Sequence, residues 1–319
     1  MASRPEACAY SPAPEAARAP DLSIVLVCWN NKEYLEPCLR SVFAAGLRNR
    51  FDVVVVDNAS TDGSQAMLRT LFPQVALIQN DGNAGLSRAS NQGIAATSGR
   101  YVLLLNNDTL VNGPSLDALV DFLDVTADAG AAGGRLLNPD GTFQGASAEF
   151  STLREEFLVA TGLGERLWPG YPSHADANEV RPVGWIGSAC LLLRRAALAQ
   201  VGVLDEDYFI YGDEADLQYR LRRGGWKVYY LPSATTIHYG GRSMDRWRRR
   251  RMVYRGKLLF YRKHYGRGRT AALRLMFAVL SAAKILWWGG ALATPRNRER
   301  ARRELRSNLD VIQLCRKLA

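Results

Sequence analysis

Residues 22–57 have the sequence LSIVLVCWNNKEYLEPCLRSVFAAGLRNRFDVVVVD, in which two apolar runs flank a more polar segment. Continuous apolar runs that are rich in β-branched residues are typical of strands buried on both faces of a sheet. In the segment between them, Leu35, Leu39 and Val42 fall on one helical face. The stretch therefore predicts a strand, a helix and a second strand.

The same alternation continues further along the chain. VALIQ (75–79) and YVLLL (101–105) are strand candidates, and residues 87–99 between them have a helical pattern. Strands that alternate with helices at this spacing predict right-handed βαβ units around a parallel sheet. Ligands of such sheets bind beyond the carboxyl ends of the strands. The residues expected there are Trp29, Asn30 and Asn31, then Asp57 and Asn58, then Asn106, Asn107 and Asp108.

Two nucleotide-binding motifs are absent from the sequence. No GxGxxG follows the first strand, and no GxxxxGK[ST] occurs anywhere. Both motifs use glycine so that the backbone can approach phosphate closely. A dinucleotide-dependent dehydrogenase and a P-loop NTPase are therefore disfavoured.

The net charge of +10 over 319 residues is divided unevenly. Residues 241–319 hold 22 Lys and Arg against 4 Asp and Glu, a balance of +18, which leaves 19 against 27, or −8, in residues 1–240. The hydrophobic share of 47% is that of a globular protein and excludes a wholly disordered chain. The acidic body and the basic C-terminal part need separate explanations.

Cysteine usage and the N-terminus bear on the cellular compartment. The five cysteines form no CxxC pair, so a reduced, cytosolic location is the simplest interpretation. The first twenty residues are rich in Ala and Pro and lack the apolar core of a secretory signal. We expect residues 1–20 to form a flexible arm.

The second half of the chain is less regular. Residues 133–182 are rich in Gly, Pro and Asn and predict long loops, whereas residues 183–195 predict a strand. Residues 213–223 have helical periodicity and end at two glycines, and residues 228–231 predict a short strand.

Seven stretches resemble family 2 glycosyltransferases of the GT-A fold, in particular the bacterial rhamnosyltransferase-like branch. They are SIVLVCWNN (23–31), VVVVDNASTDGS (53–64), NAGLSRASNQGI (83–94), YVLLLNNDT (101–109), GWIGSACLLLRR (184–195), FIYGDEADLQYRLRRGGW (209–226) and IHYGG (237–241). The resemblance implies an α/β fold with a Rossmann-like, mostly parallel sheet flanked by helices. It implies a glycosyltransferase domain at 21–243, with a nucleotide-binding half at about 21–135 and an acceptor half at about 136–243.

The resemblance assigns a first group of residues to the nucleotide-sugar donor. Asp57 matches the aspartate that accepts a hydrogen bond from the pyrimidine ring, and Trp29 stands where an aromatic residue lines that pocket. Asn30, Arg88, Asn91 and Asn107 are further donor contacts. The alternatives remain open: Asp57 as a turn former, Trp29 as a core residue and Arg88 as a solvated surface cation.

A second group matches the metal site of the family. Asn106-Asn107-Asp108 aligns with the DXD motif, with an asparagine in place of the first acid, and His238 matches a histidine that supplies another ligand. A carboxylate suits Mg²⁺ or Mn²⁺ held together with donor phosphates. A structural role for His238 is the alternative.

A third group surrounds the expected catalytic base. Asp213-Glu214-Ala215-Asp216-Leu217 matches an acidic motif whose second acid is the base, so Glu214 is the base candidate and Asp213 its neighbour. Favourable contact with the helix dipole would also explain acids at a helix start. The i,i+4 spacing predicts a pair between Asp216 and Arg220. Asp216 and Trp185 are the acceptor-side candidates, with a role in the core as the alternative for Trp185.

With these residues in place, the resemblance implies single displacement with inversion at the anomeric carbon. The donor would be a UDP- or dTDP-sugar, dTDP-rhamnose among them, and the acceptor a hydroxyl of a glycan or polyprenyl-diphosphate-linked glycan in cell-surface polysaccharide synthesis. The alternatives are a nucleic-acid-binding protein that uses the basic C-terminal part, and an inactive transferase-like scaffold. We expect no nucleic acid partner, because the acidic motifs would then be idle.

The C-terminal extension, residues 244–319, predicts basic, amphipathic helices. Residues 271–293 are long enough to cross a bilayer, but Arg274 and Lys284 interrupt them, and Trp287-Trp288 suits the level of the lipid headgroups. We expect a helix that lies on an anionic membrane, with packing on the body and a true span as alternatives. The expected location is cytoplasmic, peripheral on the inner face of the plasma membrane.

Overall fold

The computed structural model of the chain describes residues 19–173, 176–240, 245–292 and 297–317, so most of the predicted N-terminal arm lies outside the described residues. The described strands are β1 (Leu22–Cys28), β2 (Phe51–Asp57), β3 (Ala76–Gln79), β4 (Tyr101–Leu105), β5 (Thr109–Leu110), β6 (Ala129–Leu137), β7 (Phe143–Gln144), β8 (Ser147–Ala148), β9 (Arg181–Val183), β10 (Trp185–Ile186), β11 (Cys190–Arg194) and β12 (Lys227–His238). The described helices are α1 (Lys32–Ala44), α2 (Ser64–Leu71), α3 (Leu86–Ala95), α4 (Gly113–Val125), α5 (Leu153–Thr161), α6 (Leu163–Leu167), α7 (Arg195–Val201), α8 (Asp213–Arg223), α9 (Arg246–His264), α10 (Gly266–Ala291) and α11 (Arg298–Lys317).

One mixed sheet organises the body of the protein. Its strands follow the order β3-β2-β1-β4-β11-β6-β12-β5, and β3, β2, β1 and β4 pair in parallel as the alternating pattern predicts. Helices α1, α2 and α4 pack on one face, and α3, α7 and α8 pack on the other. The predicted α/β class with helices on both faces of the sheet is confirmed.

The middle of the sheet departs from simple alternation. β11 lies between β4 and β6 and is antiparallel to both. The single strand predicted at 183–195 is wrong, because a turn at Ser188 and Ala189 separates β10 from β11 and lets β10 pair with β8. This turn forms part of the cavity described below.

The prediction of long loops over residues 133–182 is also wrong. The segment contains the end of β6, strands β7 to β9 and helices α5 and α6. Helix α5 begins with a capping box, in which Thr152 accepts from the Glu155 N–H and Glu155 accepts from the Thr152 N–H. β6 carries little strand signal because its sequence, AGAAGGRLL, is made mainly of small residues.

The C-terminal extension packs on the body through an apolar cluster of its own. The cluster brings residues of α9, α10 and α11 against α5, α8 and Phe150, which precedes α5: Leu258, Phe260, Tyr261, Leu273, Phe277 and Val311 with Phe150, Leu153, Ala160 and Tyr219. Ion pairs reinforce the contact, since Lys257 Nζ lies 2.5 Å from Glu156 Oε2 and Lys263 pairs with Asp205 and Asp207. Two lysines of the extension, Lys257 and Lys263, therefore pair with acids of the body.

Candidate active site

A cavity of about 690 Å³ opens at the carboxyl ends of β1 and β4, where the sequence predicts a ligand. Trp29 follows β1 at one wall, and the turn after β4 supplies another. The loop before α8 and the end of β12 close further sides of the cavity. The predicted site residues that line it are Trp29, Asn107, Asp108, Trp185, Glu214 and His238.

Asp108 and His238 form the carboxylate–imidazole pair of this cavity. His238 Nε2 lies 3.3 Å from Asp108 Oδ1 and 3.4 Å from the Asn106 amide nitrogen. His238 Nδ1 lies 2.6 Å from Gln144 Oε1, and the Gln144 amide nitrogen donates to Asn138 Oδ1 and to the His238 carbonyl. Because the Gln144 oxygen can only accept, Nδ1 carries the proton and the Nε2 lone pair faces Asp108.

Asn107 lines the cavity with its amide already engaged. Its nitrogen donates to the Val27 carbonyl at 2.8 Å, and its oxygen accepts from the Asn31 amide at 2.6 Å. These bonds tie the turn after β4 to the end of β1. They hold Asp108 in place, since it follows directly in the chain.

Asp213 and Glu214 are adjacent in sequence but lie in different environments. Glu214 lines the cavity, and its Oε2 accepts from the Gly212 N–H at 3.1 Å. Asp213 is buried, and its Oδ1 has no hydrogen-bond partner among the described residues. Burial, together with the charge of Glu214, raises the pKa of Asp213 well above its usual value. The pair is thus divided into a buried acid and a carboxylate that faces the cavity.

The backbone before α8 is unusual. Tyr211 has φ +64° and Gly212 has φ +97°, so a bulky residue and a glycine both adopt left-handed conformations. Such a conformation is costly for Tyr and persists where the surroundings enforce it. The turn directs Glu214 toward the cavity and Asp213 into the interior.

Asp216 lies away from the cavity and is fully engaged by protein groups. Arg220 Nε donates to its Oδ2 at 2.8 Å, which confirms the predicted i,i+4 pair, and His264 Nε2 lies 2.6 Å from its Oδ1. Burial raises the pKa of Asp216, but the hydrogen bonds from His264 and Arg220 outweigh it and hold the pKa below its usual value. Asp216 thus links α8 to α9, and its assignment to the acceptor remains a prediction.

Asp57 lies behind the wall that Asn58 contributes to the cavity. Its Oδ2 accepts from the Ser60 N–H at 3.0 Å and from the Gln65 amide at 2.7 Å. Its Oδ1 is buried and has no partner among the described residues. A buried acceptor without a partner is costly, so this oxygen is suited to a ligand N–H.

The remaining predicted donor contacts lie outside the residues that line the cavity. Asn30 is exposed, and its side chain accepts from the Thr61 N–H at 2.7 Å. The Asn91 amide donates to the Leu204 carbonyl at 2.8 Å and accepts from the Leu204 N–H at 3.1 Å. Arg88 lies on the exposed side of α3. A donor role for these three residues stays a prediction.

The sequence of the chain is similar to those of known glycosyltransferases. The sequence profile described as glycosyl transferase family 2 matches residues 23–202. The chain belongs to this family. It is 33% identical, over 70% of its own length and 78% of the relative's, to an N-acetylglucosaminyl-diphospho-decaprenol L-rhamnosyltransferase of Mycobacterium tuberculosis. The family, the rhamnosyltransferase-like branch and glycosyltransferase activity as the enzyme class are confirmed.

Two solved glycosyltransferases share the fold of the chain. A mannosyltransferase of Pyrobaculum calidifontis, solved with GDP-mannose and Mn²⁺, aligns with a TM-score of 0.57 and 17% identity over 96% of this chain and 88% of its own. GalNAc-T7, solved with UDP, GalNAc and Mn²⁺, aligns with a TM-score of 0.52 and 15% identity over 77% of this chain and 50% of its own. The likeness confirms the predicted GT-A architecture.

Gln144, Arg248 and Arg249 line the cavity of this family 2 chain but escaped the sequence analysis. Gln144 lies in the segment that was assigned to loops, and Arg248 and Arg249 belong to the basic C-terminal extension. A run of arginines carries no signal for the tertiary neighbour that it meets. Glutamine has no metal motif of its own, so only the structure associates Gln144 with His238.

The cavity thus combines three chemical capacities. Glu214 can accept a proton, Asp108 and His238 can offer an oxygen and a nitrogen ligand, and the rings of Trp29 and Trp185 can stack on a flat or apolar group. Within the described residues no group of three or more His, Cys, Asp and Glu side chains is placed to hold a metal ion. Protein ligands alone would therefore bind a cation weakly.

Proposed function

We propose that the chain is an inverting glycosyltransferase that transfers a sugar from a UDP- or dTDP-sugar to a hydroxyl of a polyprenyl-diphosphate-linked glycan. The observation that carries the proposal is the position of Glu214, a carboxylate that shares one cavity with the Asp108–His238 pair. The acceptor oxygen would attack the anomeric carbon while the bond from that carbon to the nucleotide diphosphate breaks. Glu214 would take the proton of the acceptor hydroxyl.

The contrast between Asp213 and Glu214 supports Glu214 as the base. A general base must reach its proton and must be ionised when the reaction begins. Asp213 fits these conditions less well, because it is buried and its raised pKa favours the protonated form. The raised pKa of Asp213 leaves Glu214, which faces the cavity, as the candidate base of the pair.

Asp108 and His238 would hold Mg²⁺ or Mn²⁺ together with the donor diphosphate. Their donor set suits a divalent cation, since Gln144 fixes the imidazole with its Nε2 lone pair toward the Asp108 carboxylate. Such a cation supplies positive charge that stabilises the leaving diphosphate. With only one carboxylate and one imidazole from the protein, we expect the cation to bind mainly as a complex with the donor.

Asp57 and Trp29 would hold the base of the donor. The unpartnered Oδ1 of Asp57 can accept from the N3–H of uracil or thymine, and both bases carry that donor group. The indole of Trp29 lines the cavity and offers a flat surface for the ring, and Asp57 lies behind the neighbouring wall residue Asn58. The name of the mycobacterial relative makes dTDP-rhamnose the first donor to test.

We further propose that the chain works at a membrane surface. Helix α10 is long and apolar enough to cross a bilayer by length and composition. One side of it is held by protein, since Arg274 donates to the Cys315 carbonyl and Lys284 to the Ala160 carbonyl. Beyond its first turn, the helix exposes only apolar and small residues: Ala271, Ala272, Leu275, Val279, Ala282, Ala283, Leu286, Trp287, Gly289 and Gly290.

Helices beside α10 extend this apolar surface. Among the 13 exposed large hydrophobic side chains of the described residues, 8 lie on α10 or in the segment of α5 and α6, and α5 contacts α10. Those of the second segment are Phe157, Leu163, Leu167 and Trp168. Because both interrupting cations point into the protein, α10 can lie along an interface without burying a charge in lipid. The proposed partner is an anionic bilayer, with the protein peripheral on the cytoplasmic face.

The experiment that tests the transfer reaction is a screen for nucleotide release. UDP- and dTDP-sugars, including dTDP-rhamnose, are incubated with the full chain, a polyprenyl-diphosphate-linked N-acetylglucosamine acceptor and either Mn²⁺ or EDTA. We expect one donor to release its nucleoside diphosphate only when both acceptor and cation are present, with inverted configuration in the product. Nucleoside diphosphate release at the same rate in EDTA as in Mn²⁺ would refute the metal assignment. Retention of configuration in the product would refute single displacement.

A further inference from the structure

Arg248 and Arg249 of α9 lie at the active-site cavity, although they belong to the basic C-terminal extension. The Arg248 guanidinium carbon lies 6.0 Å from the centre of the Trp29 ring, and that of Arg249 lies 5.7 Å from the centre of the Tyr211 ring. They are the only Lys or Arg side chains that line the cavity within the described part of the chain. Both side chains are exposed to solvent and can therefore reach a ligand.

The charges of the cavity create a need for such cations. Its lining acids are Asp108 and Glu214, and a nucleoside diphosphate itself carries about two to three negative charges. A single divalent cation could not balance this sum. Arg248 and Arg249 supply two of the about two to three positive charges that are still missing, and a guanidinium offers the forked donors that match phosphate oxygens.

The position of the two arginines is set by the protein and not by a free tail. The Asp245 side chain caps α9 by accepting from the Trp247 and Arg248 backbone N–H groups. Because these two N–H groups are already bonded, a ligand at this end of α9 would meet the arginine side chains. Further along α9, a Cβ on Gly256 would lie 2.3 Å from the Tyr211 carbonyl oxygen. The helix is thus packed directly against the turn that places Glu214.

We propose that Arg248 and Arg249 clamp the diphosphate of the nucleotide-sugar donor, so that the C-terminal extension completes the donor site. Arg248 lies beside Trp29 at the end of β1, and Arg249 lies over the ring of Tyr211, in the turn that directs Glu214 into the cavity. The diphosphate would therefore lie between the base pocket and the Asp108–His238 pair. This inference rests on the proposed function, because it assumes that the cavity takes a nucleoside diphosphate.

The test compares binding of UDP, dTDP, thymidine and inorganic diphosphate by calorimetry in the presence of Mn²⁺. The variants are Arg248→Ala, Arg249→Ala, the conservative Arg248→Lys and Arg249→Lys, and Arg251→Ala as a matched control. Arg251 is an exposed arginine of the same helix that does not line the cavity. Thermal melting of each variant verifies that it is folded.

We expect each alanine variant to weaken binding of the preferred nucleoside diphosphate about 10-fold or more, because a charge-assisted contact is lost. Thymidine binding should not change, the lysine variants should retain part of the affinity, and Arg251→Ala should match the wild type. Equal nucleotide affinity in Arg248→Ala, Arg249→Ala and Arg251→Ala would overturn the clamp.

Two further outcomes separate the clamp from the proposed function. A wild-type chain that binds neither UDP nor dTDP would refute the proposed donor class, while loss of inorganic diphosphate binding only in the two alanine variants would still support a diphosphate clamp. Farnesyl diphosphate serves as a probe for the acceptor side. Weakened binding of this lipid alone, with nucleotide binding intact, would overturn the assignment to the donor.

Discussion

At the scale of single residues, the chemistry of the site depends on how neighbouring side chains are separated. Asp213 and Glu214 occupy consecutive positions, yet the left-handed turn at Tyr211 and Gly212 sends one inward and the other into the cavity. His238 likewise depends on a neighbour. The position of its ring proton is set by Gln144, a residue with no reactive group. Position and protonation are therefore decided by groups that do not themselves react.

The raised pKa of Asp213 predicts how stability depends on pH. Its folded pKa lies above the unfolded value of about 3.9, so its contribution to stability is full below that value and is lost as pH rises toward the folded pKa. Asp213→Asn should remove this loss, because an amide imitates the protonated acid and does not ionise. Urea unfolding of the wild type at pH 5 and pH 8 should show a larger decrease in stability than the variant shows. Equal decreases would contradict the assignment, and Asp81→Asn, at an exposed position, provides the control.

Gln144 predicts an effect on metal affinity. Gln144→Ala removes the acceptor that orients the His238 ring, and loss of such a partner typically weakens metal binding about 10- to 100-fold. Titration of Mn²⁺ in the presence of the preferred nucleoside diphosphate, followed by the electron paramagnetic resonance signal of the free ion, would measure it. Gln313→Ala, at an exposed position on α11, should behave as the wild type. An unchanged Mn²⁺ affinity in Gln144→Ala would mean that His238 does not need this partner.

At the scale of elements, α8 and α9 form one unit. His264 of α9 pairs with Asp216 of α8, and Gly256 of α9 meets the turn that precedes α8. Elements far apart in sequence therefore share the task of placing Glu214. The antiparallel β11 has a comparable role, because the turn before it brings Gly187 and Ser188 to the cavity.

The close contact at Gly256 predicts that an added methyl group lowers both stability and activity. Gly256→Ala would place a Cβ 2.3 Å from the Tyr211 carbonyl, so α9 or the turn must move. We expect a lower melting temperature and a lower transfer rate. Gly268→Ala on α10 is the matched control, since a Cβ there meets nothing within 4 Å and alanine favours a helix by roughly 1 kcal/mol. If both variants behaved alike, the packing of α9 would not position the site.

Helix α10 predicts binding to anionic vesicles. Leu275→Asp combined with Val279→Asp places two charges on its exposed face, where the side chains are 66% and 58% exposed, so folding should be little affected. Flotation with phosphatidylglycerol-containing vesicles should recover the wild type but much less of the variant. Val125→Asp is the control, because Val125 is 84% exposed on α4 of the body. Recovery of the double variant at the wild-type level would contradict a role for this face.

At the scale of the whole molecule, the basic residues of the C-terminal extension make several kinds of contact. Lys257 and Lys263 neutralise acids of the body, Arg250 pairs with Glu304 within the extension, and Arg248 and Arg249 reach the cavity. The sequence analysis predicted that the basic extension binds an anionic membrane. In the structure the extension also docks on the catalytic body.

The sequence predicted the parallel half of the sheet and the family, and six of its candidate site residues line the cavity. Continuous runs such as 22–28 are read reliably because burial on both faces demands them. β6 was missed because close packing selects small residues there, with Gly134 so near Ala234 that no side chain fits. The arginines of α9 were missed at the cavity because tertiary contacts between distant segments leave no local pattern.

The central claim is that Glu214 is the base of a sugar transfer, and the turnover of Glu214→Gln tests it most directly. With the donor identified by nucleotide release, we expect the turnover rate to fall about 10²- to 10⁴-fold while nucleoside diphosphate affinity stays at the wild-type level. Glu33→Gln, an exposed acid on α1, should retain full turnover, and Asp213→Asn should lose far less than Glu214→Gln. Wild-type turnover in Glu214→Gln would contradict the account.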